Sequence, residues 1–170
     1  MVTKKVEKAL NSQILKEEHS SRLYLSMASW AERSGYKGAA AWLYKQADEE
    51  RLHMLKLVHF LDDRGGMTLY GSMEPLPNHF KSLLDVFQQV LKHELFISGS
   101  INDVYGVCQA EKDYTTAQFM QWFINEQIEE ESTAQTILDK IKLAGAHEGG
   151  LFMIDKELGE MAAARMAEPA

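Results

Sequence analysis

Polar residues recur at a fixed interval inside apolar helical stripes. Glu50 follows Glu17 by 33 positions (17 to 50), and Gln127 follows Glu94 by the same 33 (94 to 127), so two segment pairs stand in register. The stripes step by three or four: Leu10, Ile14, Glu17, Ser21, Tyr24, Ala28, then Leu43, Ala47, Glu50, Met54, Leu57, Leu61. The second pair reads Val86, Val90, Glu94, Ile97, Ile101, Val104, then Phe123, Gln127, Glu130, Ala134, Ile137, Ile141. That period marks the inward faces of α-helices. Four long helices, each aiming one polar residue at a common depth, predict an all-α four-helix bundle.

The connections set its order. Ser34-Gly35 ends a helix running from about residue 4 to 32, and the next, from about 38 to 64, follows after so short a turn that the two must be antiparallel neighbours. Residues 65–81 hold three glycines, Pro75 and Pro77, and make a long connection for a compact domain. Roughly 16 extended residues span about 50 Å, and a helix of about 27 residues is only about 40 Å long. The segment can therefore cross the bundle and make helices two and three parallel, giving up-down-down-up order with one crossover. Ser82 and Asp85 resemble a capping box opening helix three, and Asp113 is the expected N-cap of helix four, Tyr114 to about Ala144. Gly145, Gly149 and Gly150 then interrupt the pattern. A short fifth helix is expected from Leu151 to Ala167, its stripe of Leu151, Ile154, Leu158, Met161 and Ala162 needing a surface, for which another subunit is a natural candidate. At 170 residues the chain suits one domain, with the bundle in 1–145 and the short helix in 146–170.

Composition excludes several functions. A net charge of −7 with no basic stripe argues against nucleic-acid binding. No segment approaches the roughly 20 apolar residues of a membrane span, and the two lysines near the start lead into no apolar run of an export signal. Cys108 is the sole cysteine, which excludes an internal disulfide and fits a reducing, cytoplasmic setting.

The polar layer carries the chemistry. Glu50 and His53 lie three apart and share a helix face; shifting by 77 positions (17 to 94) turns this E-x-x-H into Gln127 and Glu130. By itself an E-x-x-H is also a structural hydrogen bond. With Glu17, Glu94 and Glu130 at the same depth, and no lysine or arginine on those stripes, the anions would repel one another strongly unless a polyvalent cation joined them. This is the plan of the di-iron carboxylate proteins. Glu17, Glu50 and His53 would hold one metal and Glu50, Glu94 and Glu130 a second, with Glu50 bridging. Such donors suit iron or manganese rather than copper(I) or structural zinc. Two ferrous ions could then give two electrons to one oxidant. Glu126, Glu129 and Glu131 read from spacing as a solvated acidic face, although Glu126, Glu129 and Glu130 with Glu49 could also make a third, more open site. Tyr24 is either a packed tyrosine with a satisfied hydroxyl or a hydrogen-bond or electron donor. His19, His59, His79, His93 and His147 read as surface or supporting residues, and the nine methionines as core filler.

Glu17, Tyr24, the EERLH run at Glu49 to His53, Glu94, and NEQIEEE at Asn125 to Glu131 together resemble the bacterial non-haem ferritins, over nearly the whole chain. The resemblance implies a ferroxidase centre of Glu17, Glu50, His53, Glu94 and Glu130, with Gln127 beside it, and a third iron position at Glu49, Glu126, Glu129 and Glu130. It implies oxidation of Fe(II) to Fe(III) by O2 or H2O2, and ferric oxyhydroxide stored in a hollow shell of 24 subunits with the fifth helix near the fourfold axes. Haem is not expected, because Arg51 stands where haem-binding relatives carry a methionine, and Gln127 and Glu130 replace their second E-x-x-H. Thr115 to Gln121, where some ferritins line threefold channels with carboxylates, holds none, so the route of iron stays open. Two rivals differ in chemistry: a rubrerythrin-like peroxide reductase, against which the single cysteine argues, and a passive metal-buffering bundle.

Overall fold

The computed structural model describes residues 1–166, and its side chains through residue 164. Five helices follow in order: α1 Lys4–Arg33, α2 Lys37–Asp63, α3 Leu83–Ala110, α4 Tyr114–Ala144 and α5 Glu148–Met166, with no strand among the described residues. The four long helices fall within a few residues of expectation, and their starts are chemically marked. The Ser82 hydroxyl accepts from the Asp85 amide at 3.1 Å, and the Asp113 carboxylate accepts from both the amide and the hydroxyl of Thr116, at 3.1 and 2.8 Å. The box at α3 is not reciprocal, because Asp85 accepts from the Lys81 amide rather than from that of Ser82.

The crossover climbs α1. The Met67 amide donates to Glu7 at 3.0 Å, the Leu69 amide to Asn11 at 2.6 Å, Gly71 lies beside Leu15, and the Pro77 carbonyl accepts from Ser26. As the connection advances from 67 to 77, its partners advance from 7 to 26, so it runs parallel to α1. It therefore returns to the end of the bundle where α2 began, which makes α3 parallel to α2. The tie between Arg64, just past α2, and Asp113, just before α4, at 3.1 Å, fixes the antiparallel return of α4.

The fifth helix departs from expectation twice. It begins at Glu148, so Gly149 and Gly150 lie in its first turn and only Gly145, at φ +58°, breaks the chain direction. The His147 imidazole accepts from the Gly150 amide at 3.2 Å and satisfies a donor that the first turn leaves free. Its apolar side also finds its surface within the same subunit: Ile154, Leu158 and Ala162 are buried in the core beside α2. Close approach is possible because Gly38 and Gly159 face each other. The Asp155 carboxylate accepts from the Ala39 amide at 2.8 Å, capping α2, whose own Tyr36 supplies no side-chain cap. Phe152 and Met153 stay exposed on the far side. The expected end at Ala167 lies outside the described residues.

The apolar interior is split. One cluster, around Tyr24, Trp42, Leu43, Phe87 and Ile137, fills the end of the bundle near α5. A second, around Leu10, Ile14, Leu57, Ile101 and Phe123, fills the other end. Between them lies a layer of buried polar side chains.

Candidate metal centre

Each helix contributes to the layer through its own stripe. Glu17 of α1, Glu50 and His53 of α2, Glu94 of α3, and Gln127 and Glu130 of α4 are each no more than 7% exposed. Glu17, Glu50 and His53 each offer one ligand atom, all within 4.8 Å of one another, the one such metal-sized group among the described residues. Glu94 and Glu130 close the layer from the opposite helices, and the charge of each acts on Glu50.

Amides that went unnoticed in the sequence hold the carboxylates in place. Gln13 donates to Glu17 at 2.7 Å and is itself engaged by the Ser100 hydroxyl at 2.7 Å. Gln46 donates to Glu130 at 2.9 Å. Both glutamines stand four residues before an acid of the layer, one helical turn away on the same face, and that spacing was the available signal. Tyr24 is buried with its hydroxyl satisfied: it donates a hydrogen bond to Glu94 Oε1, and Gln127 donates to Glu94 Oε2 at 3.2 Å.

One oxygen of Glu17 and one of Glu50 are buried without any hydrogen-bond donor. His53 Nδ1 stands 3.5 Å from that Glu50 oxygen. Two buried carboxylates facing each other can be joined by a shared proton or by a cation. Burial first, and then the charge of Glu50, raise the Glu17 carboxyl well above the ordinary range. Burial and the charge of Glu94 do the same to Glu50, and the facing Glu17 carboxyl, when it keeps its proton, pulls it back down. Glu94 is raised by burial too, and the donors Tyr24 and Gln127 oppose that rise. Hard divalent cations bind such oxygens after displacing protons. Adding Fe(II) without oxygen to the metal-free protein near pH 7 should therefore release on the order of one proton per subunit, read in weakly buffered solution with a pH indicator. Glu17→Gln combined with Glu50→Gln should abolish most of that release.

Towards the outer end of the layer, Glu49, His53, Lys56, Trp122 and Glu126 surround a cavity of about 290 Å³. The indole of Trp122 meets His53 edge-on at 5.4 Å, and the Lys56 ammonium stands 4.0 Å over the indole. Of the acids expected at a third metal position, Glu49 and Glu126 thus share a cavity, Glu130 lies buried in the layer, and Glu129 is exposed and does not line that cavity. Of the histidines set aside, His93 is the most enclosed: its Nε2 pairs with the Ser20 hydroxyl at 2.7 Å, and burial lowers its pKa to about 4.

The comparisons agree with this geometry. Residues 7–144 match the family model of the ferritin-like domain. The chain is 41% identical to a bacterial non-heme ferritin of Campylobacter jejuni over 97% of its own length and 99% of that relative's. It is 40% identical to a bacterial non-heme ferritin of Bacteroides fragilis, over 94% and 99%. Among solved structures, an open-pore ferritin from the archaeon Archaeoglobus fulgidus superposes with a TM-score of 0.92 at 37% identity, covering 94% of this chain and 98% of that one.

Proposed function

The chain belongs to the ferritin family, an iron-storage protein of the non-heme type, and we propose that each subunit oxidises Fe(II) at a two-iron centre built from the polar layer. The observation that carries this reading is the pair of buried carboxylate oxygens on Glu17 and Glu50 beside His53, which face each other and are reached by no amide or hydroxyl donor of the protein. A purely structural layer would have its lone pairs satisfied. Iron is the substrate here, and the acids of the layer with His53 are the groups that would hold it.

In this reading Glu17 and His53 bind one Fe(II), Glu94 and Glu130 the other, and Glu50 lies between. Two Fe(II) supply two electrons, which with two protons convert O2 to H2O2, or H2O2 to two waters. The protein's part is to hold the ions as neighbours and to keep the carboxylates that bind them fixed. Gln13, Gln46 and Gln127 each hold one carboxylate oxygen, so the acids do not reorganise as charge changes at the metals. Tyr24 sits on Glu94, where its hydroxyl supplies a proton or an electron. Glu49 and Glu126, which line the cavity beside Trp122, are with Glu130 and the exposed Glu129 the third iron position of the proposal, and Fe(III) passes on to a mineral core of ferric oxyhydroxide.

Storage requires a container, so the subunits assemble into a hollow homo-oligomeric shell, which we take to be of 24 copies, in the cytoplasm. One preparation tests both parts. The native assembly should have a mass about 24 times the 19.3 kDa chain, and after anaerobic loading with Fe(II) it should consume O2 and develop ferric absorption. Metal binding without O2 uptake would favour the passive buffer, and a stable monomer would reject the shell.

A further inference from the structure

A closed set of hydrogen bonds joins α3 to α4 just outside the layer. Ser98 stands one turn after Glu94 on α3, and Glu131 one turn after Gln127 on α4, so the four residues form two facing pairs. The Gln127 amide nitrogen lies 3.2 Å from the Glu94 backbone oxygen, 3.2 Å from Glu94 Oε2 and 3.1 Å from the Ser98 hydroxyl oxygen. The backbone oxygen is a pure acceptor, so this end of the amide must be the NH2. The Ser98 hydroxyl has one proton, and it donates that proton to Glu131. A helical serine otherwise tends to turn its proton back to the carbonyl four residues earlier. For Ser98 that carbonyl belongs to Glu94, the one Gln127 uses. By drawing the proton away, Glu131 leaves the Ser98 lone pair to one of the two Gln127 hydrogens, while the other is shared between the Glu94 carbonyl and Glu94 Oε2. Ser98, Gln127 and Glu131 line a groove of about 490 Å³ between α3 and α4.

We propose that Ser98 and Glu131 are positioning residues that lock Gln127 as a hydrogen-bond donor to Glu94, so that Gln127 orients an iron ligand and is not one itself. The proposal rests on the two-iron reading above. Without the lock, the Gln127 amide can turn its carbonyl towards the metals, and Glu94 loses the donor that fixes its second oxygen. The effect falls on the iron bound by Glu94 and Glu130, and leaves the one bound by Glu17 and His53.

Anaerobic Fe(II) titration by calorimetry, followed by O2 uptake, tests this on the intact assembly. In Ser98→Ala and Glu131→Ala, the first Fe(II) per subunit should bind as in the parent, the second about tenfold more weakly, and oxidation should slow by about tenfold, in the range expected when a ligand loses its orienting partner. Ser98→Thr keeps the hydroxyl and should stay within about twofold of the parent, which a role in packing alone does not predict. Ser98→Ala behaving as the parent, Ser98→Thr failing as badly as alanine, or both irons weakening equally would each overturn the proposal. A parent that takes up no pair of Fe(II) ions would instead fail the underlying reading before any variant was made, and this proposal with it.

Discussion

Replacing Glu50 with glutamine is expected to make the metal-free protein more stable and to leave it almost without ferroxidase activity. The two results have one cause. Glu50 sits 1% exposed between the charges of Glu94 and Glu130, facing Glu17 across a gap with no donor. A glutamine has the same shape, carries no charge, and can donate an N–H to the orphaned Glu17 oxygen. Satisfying such a group contributes about 1–3 kcal/mol, or a rise in thermal midpoint of a few degrees for a chain of this size. The pH dependence has a definite sign. Because the folded-state pKa of Glu50 is raised, its contribution to stability is fully present below the ordinary carboxylate pKa and is lost as pH rises through the folded value. The advantage of Glu50→Gln should thus grow from about pH 4.5 towards neutrality and vanish in acid. Fe(II) should reverse the ranking, stabilising the parent by mass action and the variant hardly at all. Oxidation should fall by about 100-fold or more, at or beyond the upper end of what losing a supporting partner costs. His53→Ala should slow oxidation comparably without the gain in stability, since it removes a neutral-capable ligand instead of an anion. An unchanged oxidation rate in either variant would show that iron is oxidised elsewhere.

That opposition between stability and activity explains why the site could be read from the sequence. A charge on an apolar stripe is an anomaly that helical periodicity exposes, and Glu17, Glu50, His53, Glu94 and Glu130 are such anomalies. What periodicity cannot expose is a polar residue that looks ordinary on a helix. Gln13, Gln46, Ser98 and Glu131 are common helix-surface residue types, and their roles depend on which acceptor stands opposite, which is a matter of helix packing. Asp155 is a similar case: it caps a helix 116 positions away in the chain, where capping rules look only at neighbours. The crossover could be read because its logic is length. The seat of α5 could not, because it depends on an absence of side chain at Gly38 that the apolar stripe of α5 does not reveal.

Gly38→Ala should accordingly be among the most damaging substitutions outside the polar layer, although helix propensity alone argues the opposite. Within a helix, alanine in place of glycine is worth about 0.5–1 kcal/mol of stabilisation. At Gly38 the added Cβ would stand 1.7 Å from the Asp155 backbone oxygen and 2.9 Å from the Gly159 nitrogen. These are backbone atoms of a helix and cannot turn aside, so α5 has to lift from α2. Lifting exposes part of Ile154 and Leu158, each worth about 1.5–3 kcal/mol when fully buried, and pulls Asp155 from the Ala39 amide, at about 1 kcal/mol. The packing loss exceeds the propensity gain, and a net cost of about 2–5 kcal/mol follows. Gly99→Ala is the control: Gly99 also lies within a helix, but nothing stands within 4 Å of its Cβ position. The same substitution there should stabilise by the propensity term alone. Thermal midpoints give the two signs, and hydrogen exchange locates the damage, with protection lost across residues 148–164 and retained at Glu17, Glu50 and Glu94. Since α5 contributes no side chain to the polar layer, Gly38→Ala should still bind Fe(II) anaerobically at the temperature where its bundle stays folded. Two variants with equal and positive shifts would mean that α5 does not rest on α2.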